Sequence, residues 1–130
     1  MASSPDSTVF VVDDDPAMRD SLRWLLESAG LAVETFPTAE AFLDRSQWPA
    51  RAGCLVLDVR LPGMDGLELQ KELRAREVDL PVILVSAYTD PDAIERAQSA
   101  GARAFFRKPF DDQLLLDAVA EAISADRHPS

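Results

Sequence analysis

Short apolar runs alternate along this chain with segments whose apolar residues recur at helical spacing. Val9-Phe-Val-Val12, Cys54-Leu-Val-Leu57, Val82-Ile-Leu-Val85 and Ala104-Phe-Phe-Arg107 read as buried strands, with Ala32 to Phe36 as a fifth. Between them, Met18, Leu22, Leu25, Leu26 and Ala29 form a helical stripe, with Pro16 in its first turn and Gly30 as its stop. Thr38 caps a short helix carrying Phe42 and Leu43. Leu67, Leu69, Gln70 and Leu73 mark a third helix, which has to end before Leu80-Pro81. Asp90-Pro91 opens a fourth that Gly101 closes, and Asp111 caps a fifth with the stripe Leu115, Val119, Ala122 and Ile123. Strands and helices in strict alternation predict an α/β fold, a doubly wound (βα)5 sandwich around a five-stranded parallel sheet. The helical stripes are expected to be core.

The length of 130 residues suits one domain, read here as residues 8–124. Residues 1–7 have the small, polar composition of a flexible leader, and 125–130 that of a tail or the start of a linker. The formal net charge of −10 opposes phosphate backbones, whose affinity comes from lysine and arginine releasing counterions. Direct binding of nucleic acid is therefore not expected of this segment. The lone cysteine, Cys54, lies inside an apolar run and reads as a core residue that cannot build a disulfide framework. No apolar run approaches the roughly 20 residues that span a bilayer, and no signal-peptide core is visible, so the reading is cytoplasmic.

Polar residues gather where the apolar runs stop. Val12 is followed by Asp13-Asp14-Asp15, Leu57 by Asp58, Val85 by Ser86, and Arg107 by Lys108-Pro109. In an open parallel sheet the carboxyl ends of the strands form the crevice where ligands bind. Two carboxylates about 4 Å apart repel by roughly 4 kcal/mol at an effective dielectric of 20. A hard cation with oxygen ligands removes that cost, and Mg²⁺ takes one or two carboxylates, a carbonyl and waters. Asp15, just before Pro16, is as well explained as a helix cap; Asp58 has no helix directly after it to cap. A carboxylate at a strand end is a possible phosphoryl acceptor, provided metal and amine neutralise the phosphoryl oxygens. Asp58 and Lys108 fit those two roles.

Together these residues resemble the receiver domain of bacterial two-component response regulators, over about Thr8 to Ser124. The carrying motifs are Val11-Val12-Asp13-Asp14-Asp15, Leu57-Asp58-Val-Arg-Leu-Pro62 with Gly66, Val85-Ser86-Ala87, and Gly101-Ala102 with Lys108-Pro109-Phe110. Each is weak alone, and four in order are specific. Ala39-Glu-Ala-Phe-Leu43 and the Gly101 to Phe110 stretch look most like FixJ/NarL-type receivers. The resemblance implies a flavodoxin-like, CheY-like fold, with Asp58 as phosphoacceptor and a histidine kinase or small phosphodonor supplying the phosphoryl group. It further implies Mg²⁺ held by Asp14, Asp58 and the carbonyl of Arg60, with Asp13 acting through water. Ser86 maps to the switch hydroxyl, Phe105 to the rotameric aromatic, Lys108 to the phosphate-pairing amine, and the Lys108-Pro109 peptide to a cis bond. The implied output is a change in the face formed by the fourth helix, fifth strand and fifth helix. That change would drive homodimerisation or act on a C-terminal, DNA-binding effector.

Two other classes compete. A haloacid-dehalogenase-type phosphatase also uses an aspartate nucleophile with Mg²⁺, but it wants a second acid two residues on, where this chain has Arg60. A pure interaction module would lack an acid, the hydroxyl or the lysine, and none is missing. The reading is therefore a switch that catalyses only its own phosphotransfer and slow dephosphorylation, not a turnover enzyme. Arg60, Ala87 and Tyr88 stand just past site residues and are expected to gate the pocket. Tyr88 is bulky enough to obstruct the water that attacks an aspartyl-phosphate in line. Tyr88→Ala is expected to shorten the half-life of a phosphoryl adduct, followed by intact mass after removal of the phosphodonor. An equal or longer half-life at unchanged Mg²⁺ affinity excludes that role.

Overall fold

The computed structural model describes residues 8–44, 52–78, 80–87 and 91–127. The leader, Tyr88, Asp90 and the end of the tail, which the sequence reading singled out, lie outside them. The elements run β1 (Thr8–Val12), α1 (Pro16–Ser28), β2 (Ala32–Phe36), α2 (Ala39–Leu43), β3 (Ala52–Asp58), α3 (Gly66–Ala75), β4 (Val82–Ser86), α4 (Pro91–Ser99), β5 (Ala104–Arg107) and α5 (Asp112–Arg127). All strand pairs are parallel, in the order β2-β1-β3-β4-β5. This is the doubly wound, flavodoxin-like order, whose topological switch point lies between β1 and β3.

The apolar runs look continuous because both faces of the sheet are covered. Alternate residues go to opposite sides. Phe10, Val12, Leu55, Leu57 and Leu84 join Phe42, Leu69 and Leu73 in one buried cluster. Val9, Val11, Cys54, Val56, Ile83 and Val85 join Leu22, Leu26, Leu115 and Val119 in the other. Burial pushes the Cys54 thiol up to about 12, which keeps it protonated and inert.

Local signals set the helix ends. Asp15 accepts a hydrogen bond from the Ala17 N–H at 3.0 Å, ahead of Pro16. Gly30, at φ 87°, closes α1: its N–H donates to Glu27 O while Leu31 N–H donates to Leu26 O. Thr38 caps α2, and Asp111 accepts from the N–H groups of Gln113 and Leu114 to cap α5. Two details differ from the sequence reading. Ala29 is exposed, because α1 ends at Ser28 and Ala29 is already its cap. The last helix continues through Arg127, past the boundary drawn at Ser124, since nothing in Ala125-Asp126-Arg127 breaks a helix.

Gly66 opens α3 beneath β3. A Cβ there would lie 2.5 Å from Asp58 O and 2.9 Å from Val59 Cα, so only glycine lets the helix start pack on this backbone. Its N–H donates to Val59 O at 2.9 Å, fixing the approach. Gly66→Ala is expected to destabilise the domain by about 1–3 kcal/mol, the usual cost of overpacking. A urea midpoint equal to that of the parent chain would show that the approach is not tight in solution.

Candidate functional site

The ends of β1, β3, β4 and β5 each contribute a corner of a hollow of about 490 Å³, lined by Asp13, Asp14, Asp15, Asp58, Arg60, Ser86, Ala87 and Lys108. β1 ends at Val12, so Asp13 and Asp14 emerge at the switch point; Asp58 and Ser86 are the last residues of β3 and β4. Lys108 follows β5, and its ammonium reaches across the end of β4 to both acids. Its Nζ donates to Asp13 Oδ2 at 2.8 Å and to Asp58 Oδ2 at 2.9 Å. The Lys108 N–H donates to Ser86 O at 2.8 Å, tying the amine and hydroxyl positions through the backbone. The Lys108-Pro109 peptide is cis.

Asp13 is held at every polar atom. Its N–H donates to Phe36 O, its Oδ1 accepts from Asp15 N–H at 3.0 Å, and its carbonyl accepts from Arg19 Nη1 at 2.7 Å. Asp58 Oδ1 accepts the Arg60 N–H at 3.0 Å. Asp13, Asp58 and Ser86 are buried, whereas Asp14, Ala87 and the Arg60 side chain face solvent. Burial pushes the Asp58 carboxyl above the usual aspartate range. Hydrogen bonds from Lys108 and the Arg60 N–H pull it back only in part, and the Asp13 charge adds to the rise. Burial lowers the Lys108 ammonium, but its two carboxylate hydrogen bonds outweigh that and leave it raised. Burial thus works against the charge on Asp58, while its bonds to Lys108 and the Arg60 N–H work in its favour.

Asp13, Asp14 and Asp58 can each offer an oxygen within 4.8 Å of the others. An all-oxygen, anionic donor set, partly buried and partly open to solvent, fits a hard divalent cation such as Mg²⁺. Phe105 is half-buried and packs against the cluster that contains Leu57, Leu69 and Leu84. The structure thus brings Asp13, Asp14, Asp58, Arg60, Ser86, Ala87 and Lys108 together, and places Phe105 one strand away, opposite Leu84. The sequence reading missed Arg19. Its signal was its place one turn after Asp15, where a long cation at a helix start faces the adjacent strand end.

Residues 9–120 match the family described as the response regulator receiver domain, and the chain belongs to it. It is similar to the transcriptional regulatory protein TdiR of Thauera aromatica, at 48% identity over 121 residues, covering 93% of this chain and 53% of TdiR. It is also similar to FixJ of Azorhizobium caulinodans, at 47% identity over 115 residues, covering 88% of this chain and 54% of FixJ. The chain thus spans about half the length of these curated relatives, and it is a FixJ-like receiver. Among solved structures, the response regulator StyR matches with a TM-score of 0.86 at 45% identity, covering 93% of this chain and 61% of that one. The crystal structure of FixJ-N matches with a TM-score of 0.85 at 34% identity, covering 98% of each chain. Among the described residues, no helix is long and apolar enough to cross a membrane.

A carboxyl whose pKa the fold raises costs stability wherever it is ionised, and the cost fades as pH falls through its folded value. Asp58→Asn is therefore expected to raise the melting temperature at pH 7 in EDTA. The gain should shrink on acidification and vanish below the ordinary aspartate range. A lower melting temperature at pH 7 would mean that the Lys108 bond outweighs the desolvation of Asp58.

Proposed function

We propose that this chain is a phosphorylation-operated signalling switch in the cytoplasm, with Asp58 accepting a phosphoryl group from a sensor histidine kinase or a small phosphodonor. One observation carries the reading: a single ammonium bridges two carboxylates at the switch point, on Asp13 and on Asp58. In the transfer, an Asp58 oxygen forms the new bond to phosphorus as the bond to the donor's leaving group breaks. The Lys108 ammonium, already on Asp58, is placed to follow the charge onto a phosphoryl oxygen. The Ser86 hydroxyl, beside Ala87, is placed to donate to another. Asp14, Asp58, the Arg60 carbonyl and, through water, Asp13 would hold Mg²⁺, which would supply charge neutralisation on the phosphoryl oxygens. Two residues past Asp58, where a haloacid-dehalogenase-type phosphatase carries its second acid, this chain has Arg60, which suits a lasting adduct over rapid turnover.

The output follows from what Ser86 and Phe105 do next. Movement of Ser86 toward the phosphoryl group vacates space that Phe105 fills by turning inward. The face of α4, β5 and α5 is then altered, and homodimerisation or a C-terminal, DNA-binding effector responds. The bias can be no larger than the phosphoryl group's differential interaction with the two states. The names of TdiR and FixJ as transcriptional regulators, and their roughly doubled length, support an effector of that kind.

Acetyl phosphate with Mg²⁺ is expected to add one phosphoryl group by intact mass, persisting for minutes. Asp58→Asn should take up none, and Asp14→Ala should label at least roughly tenfold more slowly although its nucleophile is intact, the size expected for loss of one electrostatic contact. Steady phosphate release identifies a phosphatase instead. A chain that stays unlabelled is an interaction module.

A further inference from the structure

One residue holds the acidic turn after β1 at two points. Arg19, near the start of α1, donates its backbone N–H to Asp15 O at 2.9 Å and its side-chain Nη1 to Asp13 O at 2.7 Å. Between those two residues lies Asp14, which is exposed and offers a carboxylate oxygen within 4.8 Å of oxygens on Asp13 and Asp58. Arg19 is half-buried, and among the described residues its side chain pairs with no carboxylate, although three acids occupy the turn it grips. Its bond goes to a neutral carbonyl instead. Lys108 does the opposite and sets its ammonium on the Asp13 and Asp58 carboxylates themselves.

A peptide group is planar, so a bond to the Asp13 carbonyl oxygen fixes the plane that joins Asp13 to Asp14. That plane decides where the Asp14 side chain leaves the backbone. A hydrogen bond from a guanidinium is charge-assisted, hence stronger than one between neutral groups. The helix dipole disfavours a cation in this place, so a gain elsewhere is needed to offset it. We propose that Arg19 is a positioning residue for the divalent cation: it orients Asp14 through the Asp13–Asp14 peptide and leaves the carboxylate free to bind. This role rests on the cation site of the proposed function.

Removing Arg19 has two effects of opposite sign. As a charge it repels a divalent cation, so its loss would tighten Mg²⁺ binding. As a support it holds the turn, so its loss would weaken binding. Changing a residue that orients metal ligands typically costs about 10–100-fold in affinity. Solvent and salt screen the repulsion from a half-exposed cation, so the support is expected to win. The lower end of that range applies, because Asp13 keeps its bonds to Phe36, Asp15 and Lys108.

Mg²⁺ is titrated into the isotopically labelled chain, and the amide shifts of Asp13, Asp14 and Asp15 give the Kd. Arg19→Met is expected to bind about tenfold more weakly than the parent chain. Arg19→Lys, which keeps the charge and a donor but not the planar fork, should fall between the two. The ratio of Arg19→Met to parent should persist at about 1 M salt, where the Debye length is only about 3 Å. Equal or tighter binding by Arg19→Met would overturn the role, whatever that variant does to the urea midpoint. Asp14→Ala serves as the control for the site itself. If it binds Mg²⁺ like the parent, the cation site fails; if it loses binding while Arg19→Met does not, only the positioning role fails. Should Arg19→Met not fold, Arg19→Gln takes its place with the same expectation.

Discussion

The ammonium of Lys108 holds together an arrangement that would otherwise push itself apart. A parallel sheet with β1 beside β3 brings Asp13 and Asp58 to neighbouring strand ends, and burial prevents water from screening them. Lys108 stands 2.8 and 2.9 Å from the two carboxylates and offsets that repulsion in the unphosphorylated chain. Removing Lys108 would leave two buried carboxylates uncompensated, a kind of loss that typically costs about 3–5 kcal/mol. The bridge therefore depends on the strand order, and the acidic crevice depends on the bridge. It leaves Asp58 raised in pKa, so the resting site retains a preference for whatever relieves its negative charge.

The rest of the backbone serves to keep these groups still. Asp13 has a partner on its N–H, its carbonyl and both carboxylate oxygens, drawn from β2, α1, its own loop and Lys108. Asp58 is fixed from behind by the Arg60 N–H and by the close approach of Gly66. Asp14, by contrast, faces solvent beside two rigid acids. Two fixed carboxylates and one at the solvent edge form a group that could hold a hard cation while leaving part of it open to water.

Much of this was legible in the chain because strands buried on both faces must be apolar throughout, so the residue that ends each run is conspicuous. Asp58, Ser86 and Lys108 stood out for that reason, and Leu115, Val119, Ala122 and Ile123 because helical period and burial coincide. Less was legible where the reason is three-dimensional. Arg19 reads as an ordinary surface cation of α1; a positive side chain in a first helical turn is even disfavoured by the helix dipole. Only the fold shows that Asp13 O offers it compensation at 2.7 Å. Gly66 counted in the sequence as part of a motif, and the physical reason for it is visible only from the Asp58 backbone beneath it. Gln70 matched the helical stripe and is buried as that stripe demands, but periodicity cannot reveal that its oxygen lacks a partner among the described residues.

The geometry also bears on how a change at Asp58 would reach the far face. Ser86 and Lys108 lie on adjacent strands, and the hydrogen bond from Lys108 N–H to Ser86 O joins them outside the side chains. One register step back, Leu84 pairs with Phe105, and both belong with the cluster beneath α3. Phe106, the next residue, turns to the opposite cluster and meets Phe110 at 6.4 Å between ring centroids. β5 is thus packed into both cores while its end carries the amine of the acidic site. The Ser86 and Lys108 side chains border the open hollow, but a displacement of the β4 or β5 backbone would meet a packed interior, which is poorly compressible. The half-buried Phe105 on β5 has more freedom than Leu84, which is fully enclosed, and on the proposed switch it is the outlet for such a displacement. The strand that completes the site is therefore the one best placed to transmit its state.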